Sequence, residues 1–450
     1  MKRIGRGTKK FLLAVCLIAG CLLLGCCAHR QEEARTVTLV LATDLHYLSP
    51  GLTDRGYYFE AINEQGDGRL LWYQQEIIGA FLADMKELKP DAVLLSGDLT
   101  YNGERESHER LAALLSELTE EGILVYVIPG NHDINNLLSR SFFGEEAERV
   151  ESVLIEDFKE LYQEFGYGKD KTRKKGAMCR NKLLEHSPDG LSYTVRLQDR
   201  ISLYMLNTNR FLDGYQIGSG VGEETLAWLD GWLKQDQKEG RTPIAVGHHN
   251  LLVHNPFFIK GYVCSDSEEV KQVLADRQVP LYLSGHMHIQ HQAKEETGDW
   301  ELWDIAGSSL MVNPHQYGIV TIGTEGEVSY EKQSVKVEEY ARAQGMTEED
   351  LLHFADYAKE FFYQNQYKRV MENLKKTKLD EEIREELADY SARINVAYFA
   401  GMNEEEKQAF REDEGYRLWQ EVKEELGEES FWCEYLDSIL DGYCWRTKEQ

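Results

Sequence analysis

The chain has 450 residues, and 78 aspartates and glutamates outnumber 50 lysines and arginines, which gives a formal net charge of −28 at pH 7. A chain this acidic would repel the phosphate backbone of a nucleic acid, so a basic nucleic-acid binder is excluded. The hydrophobic fraction of 42% and the charged fraction of 28% are ordinary for a globular protein, which excludes wholesale disorder and a polytopic membrane protein. The expected partners are small molecules rather than nucleic-acid polymers.

Residues 1–25 have the pattern of a signal peptide. A basic start precedes the apolar run 11–24. At about 1.5 Å per residue, this run is too short to cross a hydrocarbon core of roughly 30 Å. The segment 23–26, LLGC, resembles a bacterial lipobox, which implies cleavage before Cys26 and lipidation of its thiol. We therefore expect an extracytoplasmic lipoprotein anchored to the cell membrane, with a plain signal peptide or an uncleaved anchor as the alternatives.

The cysteines beyond this leader are scattered. Cys179, Cys264, Cys433 and Cys444 have neither the density of a disulfide framework nor the spacing of metal ligands. Cys433 and Cys444 could bridge across a short loop, or both could be buried free thiols.

Apolar runs and amphipathic segments alternate after the leader. Strands are predicted at 37–42, 91–96 and 123–128. One intervening helix is predicted over 70–88, where apolar residues fall largely on one helical face, and leucines within 111–118 mark another. This order is typical of parallel strands joined by crossover helices.

Two connections stand out from this regular pattern. The segment 46–70 is long and has no periodicity of its own, which is unusual for a compact domain unless the loop is functional. Its residues Tyr57, Tyr58 and Phe59 could stack on a planar base or pack the loop onto the domain. Farther along, the basic run 169–175 is expected to be a solvated surface loop.

The second half of the chain changes its periodicity once. Further strands are predicted at 193–197, 201–207, 243–246, 279–283, 302–306 and 317–322. From residue 336 the apolar spacing becomes helical and stays so to residue 450. The sequence therefore predicts an α/β domain over 36–334 and a helical C-terminal domain over 336–450. The aromatic residues of the helical domain either pack against the α/β domain or wall one side of its active-site crevice.

Five short motifs follow apolar strands, where the crevice of an open α/β sheet binds ligands. They are Asp44-Leu45-His46, Gly97-Asp98, Gly130-Asn131-His132-Asp133, Gly247-His248-His249 and Gly285-His286-Met287-His288. In an extended segment, residues two apart share a face, so Asp44 with His46 and His286 with His288 can each aim two side chains the same way. Carboxylate, imidazole and amide groups together suit divalent Mn, Fe or Zn.

The ordered series of these motifs resembles the calcineurin-like metallophosphoesterase superfamily. The resemblance implies a four-layer α/β/β/α sandwich that binds two divalent metal ions. One ion would be held by Asp44, His46, Asp98 and His288, and the other by Asp98, Asn131, His248 and His286. It further implies that His132 protonates the leaving oxygen and that Asp133 orients its imidazole.

The leader, the segment 97–104 and the acidic helical domain together resemble secreted bacterial class III cyclic nucleotide phosphodiesterases. This implies hydrolysis of 3′,5′-cyclic nucleotides to nucleoside monophosphates by in-line attack of a metal-bridging hydroxide. One alternative is a broad-specificity phosphodiesterase or phosphomonoesterase acting on extracellular nucleotides or envelope polymers. Another is an inactive surface binding protein. The oligomeric state does not follow from these patterns.

Several polar residues near the motifs have simpler interpretations. His249 is expected beside the ligands rather than among them, and His254, His291 and His315 are expected to be core or surface histidines. Asn135 and Asn136 are expected to cap a following helix, with contact to the substrate as the alternative.

Overall fold

The computed structural model describes residues 35–168, 182–198 and 200–441. The leader with Cys26, the basic run 169–175, Cys179 and Cys444 lie outside these residues. Cys264 and Cys433 are buried and form no disulfide with another cysteine among the described residues. Among the described helices, none combines the length and the apolar character that a membrane span requires.

The first sheet carries three of the five motifs at one edge. Its strands are β1 (Val37–Ala42), β2 (Ala92–Leu95), β3 (Leu124–Val127), β15 (Gln316–Ile322) and β16 (Val328–Ser334). They lie in the order β16-β15-β1-β2-β3. Strands β1, β2 and β3 are parallel, with Leu39 opposite Ala92 and Ala92 opposite Leu124, whereas β15 returns antiparallel to β1. The carboxyl ends of the three parallel strands therefore meet at one edge.

The second sheet carries the two histidine motifs. Its strands are β6 (Lys182–His186), β7 (Tyr193–Leu197), β8 (Ile201–Met205), β11 (Thr242–Val246), β12 (Leu281–Ser284), β13 (His291–Thr297) and β14 (Trp300–Ala306). They lie in the order β13-β14-β12-β11-β8-β7-β6. The central strands β8, β11, β12 and β14 are parallel, and the outer strands are antiparallel to their neighbours. Both sheets are thus mixed.

Helices and two short hairpins complete the α/β domain. The hairpins pair β4 (Arg140–Phe143) with β5 (Glu146–Arg149), and β9 (Asn209–Leu212) with β10 (Tyr215–Ser219). The helices are α1 (Tyr57–Gln65), α2 (Gln74–Leu88), α3 (Arg105–Glu120), α4 (Ile155–Leu161), α5 (Glu223–Glu239) and α6 (Ser267–Asp276).

Successive side chains of a strand point to opposite faces of its sheet, and this separates the layers of the α/β domain. In β8, Leu203 and Met205 join the core that the two sheets share, whereas Tyr204 points to the opposite face and joins the core formed with α5 and α6. The strand residues of β1 are nearly all buried, as expected for a sheet covered on both faces. Its outer face is covered by α2 and α3, which contribute Phe81 and Leu115 to the same core. The four-layer α/β/β/α sandwich is confirmed.

The chain beyond Val335 is helical within the described residues, as predicted. The helices are α7 (Val337–Gln344), α8 (Glu349–Leu352), α9 (Phe354–Leu374), α10 (Glu381–Phe399), α11 (Glu404–Glu412), α12 (Glu414–Glu421) and α13 (Phe431–Asp441). Up to Ala358, the buried apolar side chains join the core of the sandwich. From Val370 onward they form a separate core, which also takes in Met287 and Ile289 of the last motif.

The long connection after the first motif is not structureless, because α1 lies within it. Phe59 is buried and its ring lies 6.0 Å from that of Trp72, and the ring of Tyr58 stacks on Phe142 at 5.8 Å. Tyr57 remains 69% exposed. Two of the three aromatic residues therefore pack the segment onto the domain, which was one of the two interpretations.

The expected helix cap at Asn135 and Asn136 is wrong, because the next regular element is the strand β4. Asn136 Oδ1 accepts from the backbone N–H of Leu138 at 2.9 Å, which makes a local turn. Asn135 Nδ2 donates to the carbonyl of Gly214 at 3.0 Å and so ties the motif to the β9-β10 hairpin.

Candidate metal centre

The first group of candidate ligands joins the two sheets. Asp44 and His46 follow β1, and His288 follows β12. His288 Nε2 lies 3.4 Å from Asp44 Oδ1 and 3.1 Å from His46 Nε2. Each residue offers one donor atom, and these atoms lie within 4.8 Å of one another. Three side chains from two sheets therefore converge on one point.

The second group lies beside the first. Asp98 follows β2, His248 follows β11 and His286 follows β12. His248 Nε2 lies 3.4 Å from Asp98 Oδ2 and 3.2 Å from His286 Nδ1. The amide oxygen of Asn131, after β3, is 3.0 Å from the same His248 nitrogen. These four residues are the ones expected around the second ion.

Asp98 stands between the two groups. Its Oδ2 atom lies 3.9 Å from His46 Nε2, in addition to its contact with His248. Its other oxygen, Oδ1, accepts from the backbone N–H of His132 at 2.8 Å. The carboxylate is thus fixed by the following motif with Oδ2 directed at both groups.

Hydrogen bonds to backbone carbonyls fix the tautomers of two histidines. His248 Nδ1 donates to Ser96 O, and His286 Nε2 donates to Gly261 O, both at 2.8 Å. The opposite nitrogens, His248 Nε2 and His286 Nδ1, are left without a hydrogen when the rings are neutral, and they face Asp98. Metal-binding histidines are held in this way, by a partner on the ring nitrogen that does not bind the metal.

The residues present fit divalent ions. Asp44 Oδ1 is buried and has no hydrogen-bond partner among the described residues, although it lies 3.4 Å from His288 Nε2. Its other oxygen, Oδ2, accepts from Thr43 Oγ1 at 2.7 Å and from His286 N at 2.9 Å. A buried carboxylate oxygen without a partner is costly unless a cation is bound to it.

Carboxylates and imidazoles in the site shift one another's pKa values. Burial alone would raise the pKa of Asp98, but the imidazoles of His248 and His132 hold it well below its usual range. Burial likewise opposes the charged form of His248, yet the carboxylate of Asp98 raises the pKa of that ring to about 9. Charge of both signs is therefore stabilised within one buried cluster.

The backbone at the ligands is unusual. Asp44, His46, Asp98, His286 and His288 all have positive φ angles, of 51°, 41°, 48°, 69° and 58°. L residues with side chains adopt this left-handed region at a cost of roughly 1–2 kcal/mol each. Five such residues in one site indicate that the rest of the fold stabilises a conformation that aims these side chains inward.

Two glycines allow the motifs to approach one another. Gly97 has a φ of +98°, and a Cβ atom there would lie 2.6 Å from His248 Nδ1. A Cβ atom on Gly130 would collide with the carboxylate of Asp98. Close packing of backbone against the ligands therefore requires glycine at both positions.

His132 is the candidate proton donor, and it is part-exposed beside the centre. Its Nε2 atom lies 3.9 Å from Asp98 Oδ2, and its side chain is 28% exposed. Its Nδ1 atom lies 3.0 Å from Tyr101 O and 2.9 Å from Asn102 Oδ1, both of which can accept. Nδ1 therefore carries a hydrogen, and Nε2 is the nitrogen that faces the site.

The expectation that Asp133 orients His132 is wrong. The Asp133 carboxylate is fully buried and accepts from three backbone N–H groups, those of Leu99, Thr100 and Gly130, at 3.1, 3.0 and 2.8 Å. It is thereby directed into the loop and away from the imidazole of the preceding residue. Asp133 instead holds the turns after β2 and β3 together.

A buried histidine that the sequence analysis did not single out supports the same loop. His108 Nε2 lies 2.9 Å from Asp133 O, and its Nδ1 lies 2.9 Å from Tyr162 OH. Burial lowers the pKa of His108 to about 3, so the ring is neutral at pH 7. Because His108 lies on α3, away from any strand end, no motif in the sequence identifies it.

Arg69 was also missed, and it brings a positive charge to the site. Its Nε atom donates to Asp67 Oδ1 at 2.7 Å, and its guanidinium lies 5.0 Å from the centre of the Tyr101 ring. Burial and the charge of Arg69 together lower the pKa of His46 well below its usual value. The signal in the sequence is weak, because Arg69 lies in the long connection rather than in a motif.

The remaining histidines lie outside the two ligand groups. The ring of His249 packs 4.4 Å from that of His286, and its Nδ1 atom lies 2.9 Å from Thr208 Oγ1. His254 and His291 are close to each other, with their Nδ1 atoms 3.0 Å apart, and His315 is buried.

Comparisons with known proteins identify the family of this chain. The family profile described as calcineurin-like phosphoesterase matches residues 37–290, and a profile described as the C-terminal domain of cyclic nucleotide phosphodiesterase matches residues 336–442. A curated protein of Arcobacter nitrofigilis, a probable glycerophosphodiester phosphodiesterase GpdQ, is 40% identical over 75 residues, which are 16% of this chain. The match spans only about a quarter of that relative, 26% of its length.

Solved structures align with the chain at low identity. A dimetal phosphatase from Danio rerio is 14% identical, covers 67% of this chain and all of its own, and has a TM-score of 0.43. A protein of Thermus thermophilus is 13% identical, with the same coverage and a TM-score of 0.36. The calcineurin-like profile, in contrast, spans more than half of the chain. The protein therefore belongs to the calcineurin-like phosphoesterase family.

Proposed function

We propose that this protein is a dinuclear metal phosphodiesterase whose substrate is a 3′,5′-cyclic nucleotide. The observation that carries the proposal is the pair of adjacent ligand groups, with Asp98 Oδ2 within 3.4 Å of His248 Nε2 and 3.9 Å of His46 Nε2. One carboxylate can then serve two ions, which would be Mn, Fe or Zn given the donor set.

Different residues have different roles in the proposed reaction. Two divalent ions would acidify a water molecule and neutralise the charge of a phosphoryl group. Asp44, His46, Asp98 and His288 would hold one ion, and Asp98, Asn131, His248 and His286 the other. His132 delivers a proton from Nε2 to the leaving oxygen, while Tyr101 O and Asn102 Oδ1 keep its ring in place through Nδ1.

Two findings favour a diester over a monoester. The helical region matches a domain described for cyclic nucleotide phosphodiesterase, and the curated relative is described as a glycerophosphodiester phosphodiesterase. The rival function is a broad-specificity phosphodiesterase or phosphomonoesterase on extracellular nucleotides or envelope polymers. An inactive binding protein is disfavoured because every expected ligand and His132 are present.

A substrate panel tests the proposal. The full chain reconstituted with Mn, Fe or Zn should open 3′,5′-cyclic AMP or GMP to a single monophosphate and act far more slowly on 5′-monophosphates. Chelation should abolish the activity. Faster hydrolysis of the monoesters than of the cyclic diesters would support the rival function.

Paired variants test the ligand assignment. Asp98→Asn should reduce metal content at both positions, because one carboxylate serves both ions, whereas His249→Ala should retain both ions. Elemental analysis of the two purified variants measures this. Equal metal loss in both would reverse the choice of His248 over His249.

We also propose that Cys26 is lipidated and anchors the protein outside the cytoplasm. The support is the LLGC segment after a short apolar run in residues 1–25. This location would place the enzyme among nucleotides outside the cytoplasm.

A further inference from the structure

A cavity of about 270 Å³ adjoins the metal centre and lies between it and the helical domain. His286 and His288 line one side of it, whereas Gln366, Asn395 and Tyr435 belong to α9, α10 and α13 on the other. A small molecule that binds the metal centre through a phosphate can therefore extend into this cavity. Its size lies just below the roughly 300 Å³ at which drug-sized pockets begin, which suits a single ring system.

The walls of the cavity are aromatic. Half of the residues that line it are Phe, Tyr or Trp. The ring of Tyr262 lies 5.3 Å from that of His286 and 4.9 Å from that of Phe258, which in turn lies 5.8 Å from Tyr435. This chain of rings runs from a candidate metal ligand to the helical domain. Such surfaces bind flat ligands by stacking, at about 1–3 kcal/mol per nucleobase.

Neutral amide and hydroxyl groups provide the hydrogen-bonding part of the lining. Tyr435 OH donates to Asn395 Oδ1 at 2.6 Å, and Asn395 Nδ2 donates to Gln366 Oε1 at 3.4 Å. Asn395 and Gln366 are 1% and 4% exposed. Carboxamides pair with the polar edges of bases because they offer a donor and an acceptor side by side.

Charged groups are a minority of the lining. The one carboxylate, Asp67, is paired with Arg69 through a contact of 2.7 Å, and the one arginine is Arg369. Aromatic rings and neutral amides make up most of the remaining surface, and an uncharged ring with a polar edge matches them.

We propose that this cavity is a nucleobase pocket, in which the helical domain reads the edge of the base through Asn395 and Gln366 and Tyr262 contacts its face. The inference rests on the proposed function, because it assigns the part of the substrate that lies beyond the phosphate. It gives the helical domain a direct role in choosing the substrate.

Kinetics on two diesters test the pocket. In the full chain, Asn395→Leu and Tyr262→Leu should each lower the ratio of kcat/KM for the cyclic nucleotide to kcat/KM for methyl 4-nitrophenyl phosphate by at least tenfold. Tyr262 belongs to the α/β domain and Asn395 to the helical domain, so a local folding defect in one domain cannot explain both results. Tyr215→Leu is the control, because Tyr215 is half-exposed in β10 and is not part of the lining. An unchanged ratio in both pocket variants would overturn the inference.

A binding measurement tests the pocket independently of the proposed reaction. Adenosine, guanosine and uridine lack the phosphate, so saturation-transfer NMR with the metal-free full chain reports the pocket alone. At least one nucleoside should bind to wild type and to Tyr215→Leu, and its signal should be lost in both pocket variants. Absence of binding by all three nucleosides would overturn the inference. Nucleoside binding without hydrolysis of cyclic nucleotides would retain the pocket and contradict the proposed substrate.

Discussion

The imidazole of His132 is oriented by neutral oxygens rather than by a carboxylate. Tyr101 O and Asn102 Oδ1 lie 3.0 and 2.9 Å from Nδ1, and Nε2 faces Asp98 Oδ2 at 3.9 Å. This arrangement leaves Nε2 as the position at which the ring can gain and lose a proton. A general acid needs this freedom.

His132→Ala should retain the metal ions but slow the hydrolysis of esters with poor leaving groups by roughly 100-fold to 10,000-fold, the range for a positioned general acid. Nitrophenyl esters should lose less, because nitrophenolate leaves without protonation. Rates for a series of leaving groups, with metal content as the control, measure this. A uniform loss across the series would show that His132 does not donate the proton.

The identities of the site residues could be predicted from the sequence. The backbone conformations and hydrogen-bond partners that hold them in place could not. Asp44, Asp98 and His288 are recognisable because each belongs to a short motif after an apolar strand. The positive φ angles of these residues and the carbonyl partner of His286 depend on the tertiary fold, and no local pattern specifies them. The role expected for Asp133 failed for the same reason, because adjacency in sequence does not fix the direction of a side chain.

Glu104 links the stability of the fold to pH. The residue is fully buried, and burial raises its pKa to about 7, although the backbone N–H of Asn102 donates to Oε2 at 3.0 Å. The folded state therefore keeps the proton at pH values at which the unfolded chain has released it. This contribution is complete below pH 4.5, the ordinary pKa of the group, and is lost as the pH rises to about 7.

Glu104→Gln should remove this dependence. Above pH 7 the variant should be more stable than wild type by on the order of 3 kcal/mol, because no charge has to be buried. Below pH 4.5 the two should be similar. Urea unfolding at several pH values measures the difference, and Glu109→Gln, at an exposed position on α3, the helix that follows Glu104, is the control. Identical pH profiles for wild type and Glu104→Gln would contradict the assignment.

At the scale of elements, the segment after β12 has two functional faces. His286 and His288 point to the metal centre, whereas Met287 and Ile289 join the core of the helical domain. His286 and His288 both have left-handed backbone conformations, so an irregular segment after β12 produces this division rather than a regular strand. The helical domain is therefore packed directly onto the backbone that carries two candidate metal ligands.

Met287→Ala should weaken metal binding as well as the fold. Loss of a buried methionine typically destabilises by about 2–5 kcal/mol, and a disturbed supporting residue typically weakens metal binding by about 10- to 100-fold. Met85→Ala is the matched control, because Met85 is equally apolar and lies in the sandwich core on α2. Titration of the two variants with Mn measures the difference. Equal affinities in Met85→Ala and Met287→Ala would show that this packing does not position the ligands.

The strand order illustrates what periodicity can and cannot predict. The alternation of strands and helices over 37–128 predicted the parallel group β1, β2 and β3, because crossover connections permit that arrangement. The insertion of β15 beside β1 joins residues nearly three hundred positions apart, with Val37 opposite Ile322. Such long-range pairing depends on how the two sheets pack, and no local signal specifies it.

At the scale of the whole molecule, charge opposes attachment to a membrane. The chain has a net charge of −28, and removal of the basic leader would make it still more negative. Anionic lipid headgroups therefore repel the protein rather than attract it. We therefore propose that membrane attachment, which the LLGC segment suggests, depends on acyl chains at Cys26 rather than on charge.

Cys26→Ala should therefore change where the protein resides. Wild type should partition with membranes and into a detergent phase, because each buried methylene of an acyl chain contributes about 0.8 kcal/mol. The variant should be either unprocessed or released, since the thiol that accepts the lipid is missing.

Cys27→Ala is the matched control, because it changes the neighbouring thiol and leaves Cys26 in place. Fractionation with mass determination of the amino terminus measures both effects. Membrane retention of Cys26→Ala with an intact leader would identify residues 11–24 as an uncleaved anchor, and release of both variants alike would contradict lipidation of Cys26.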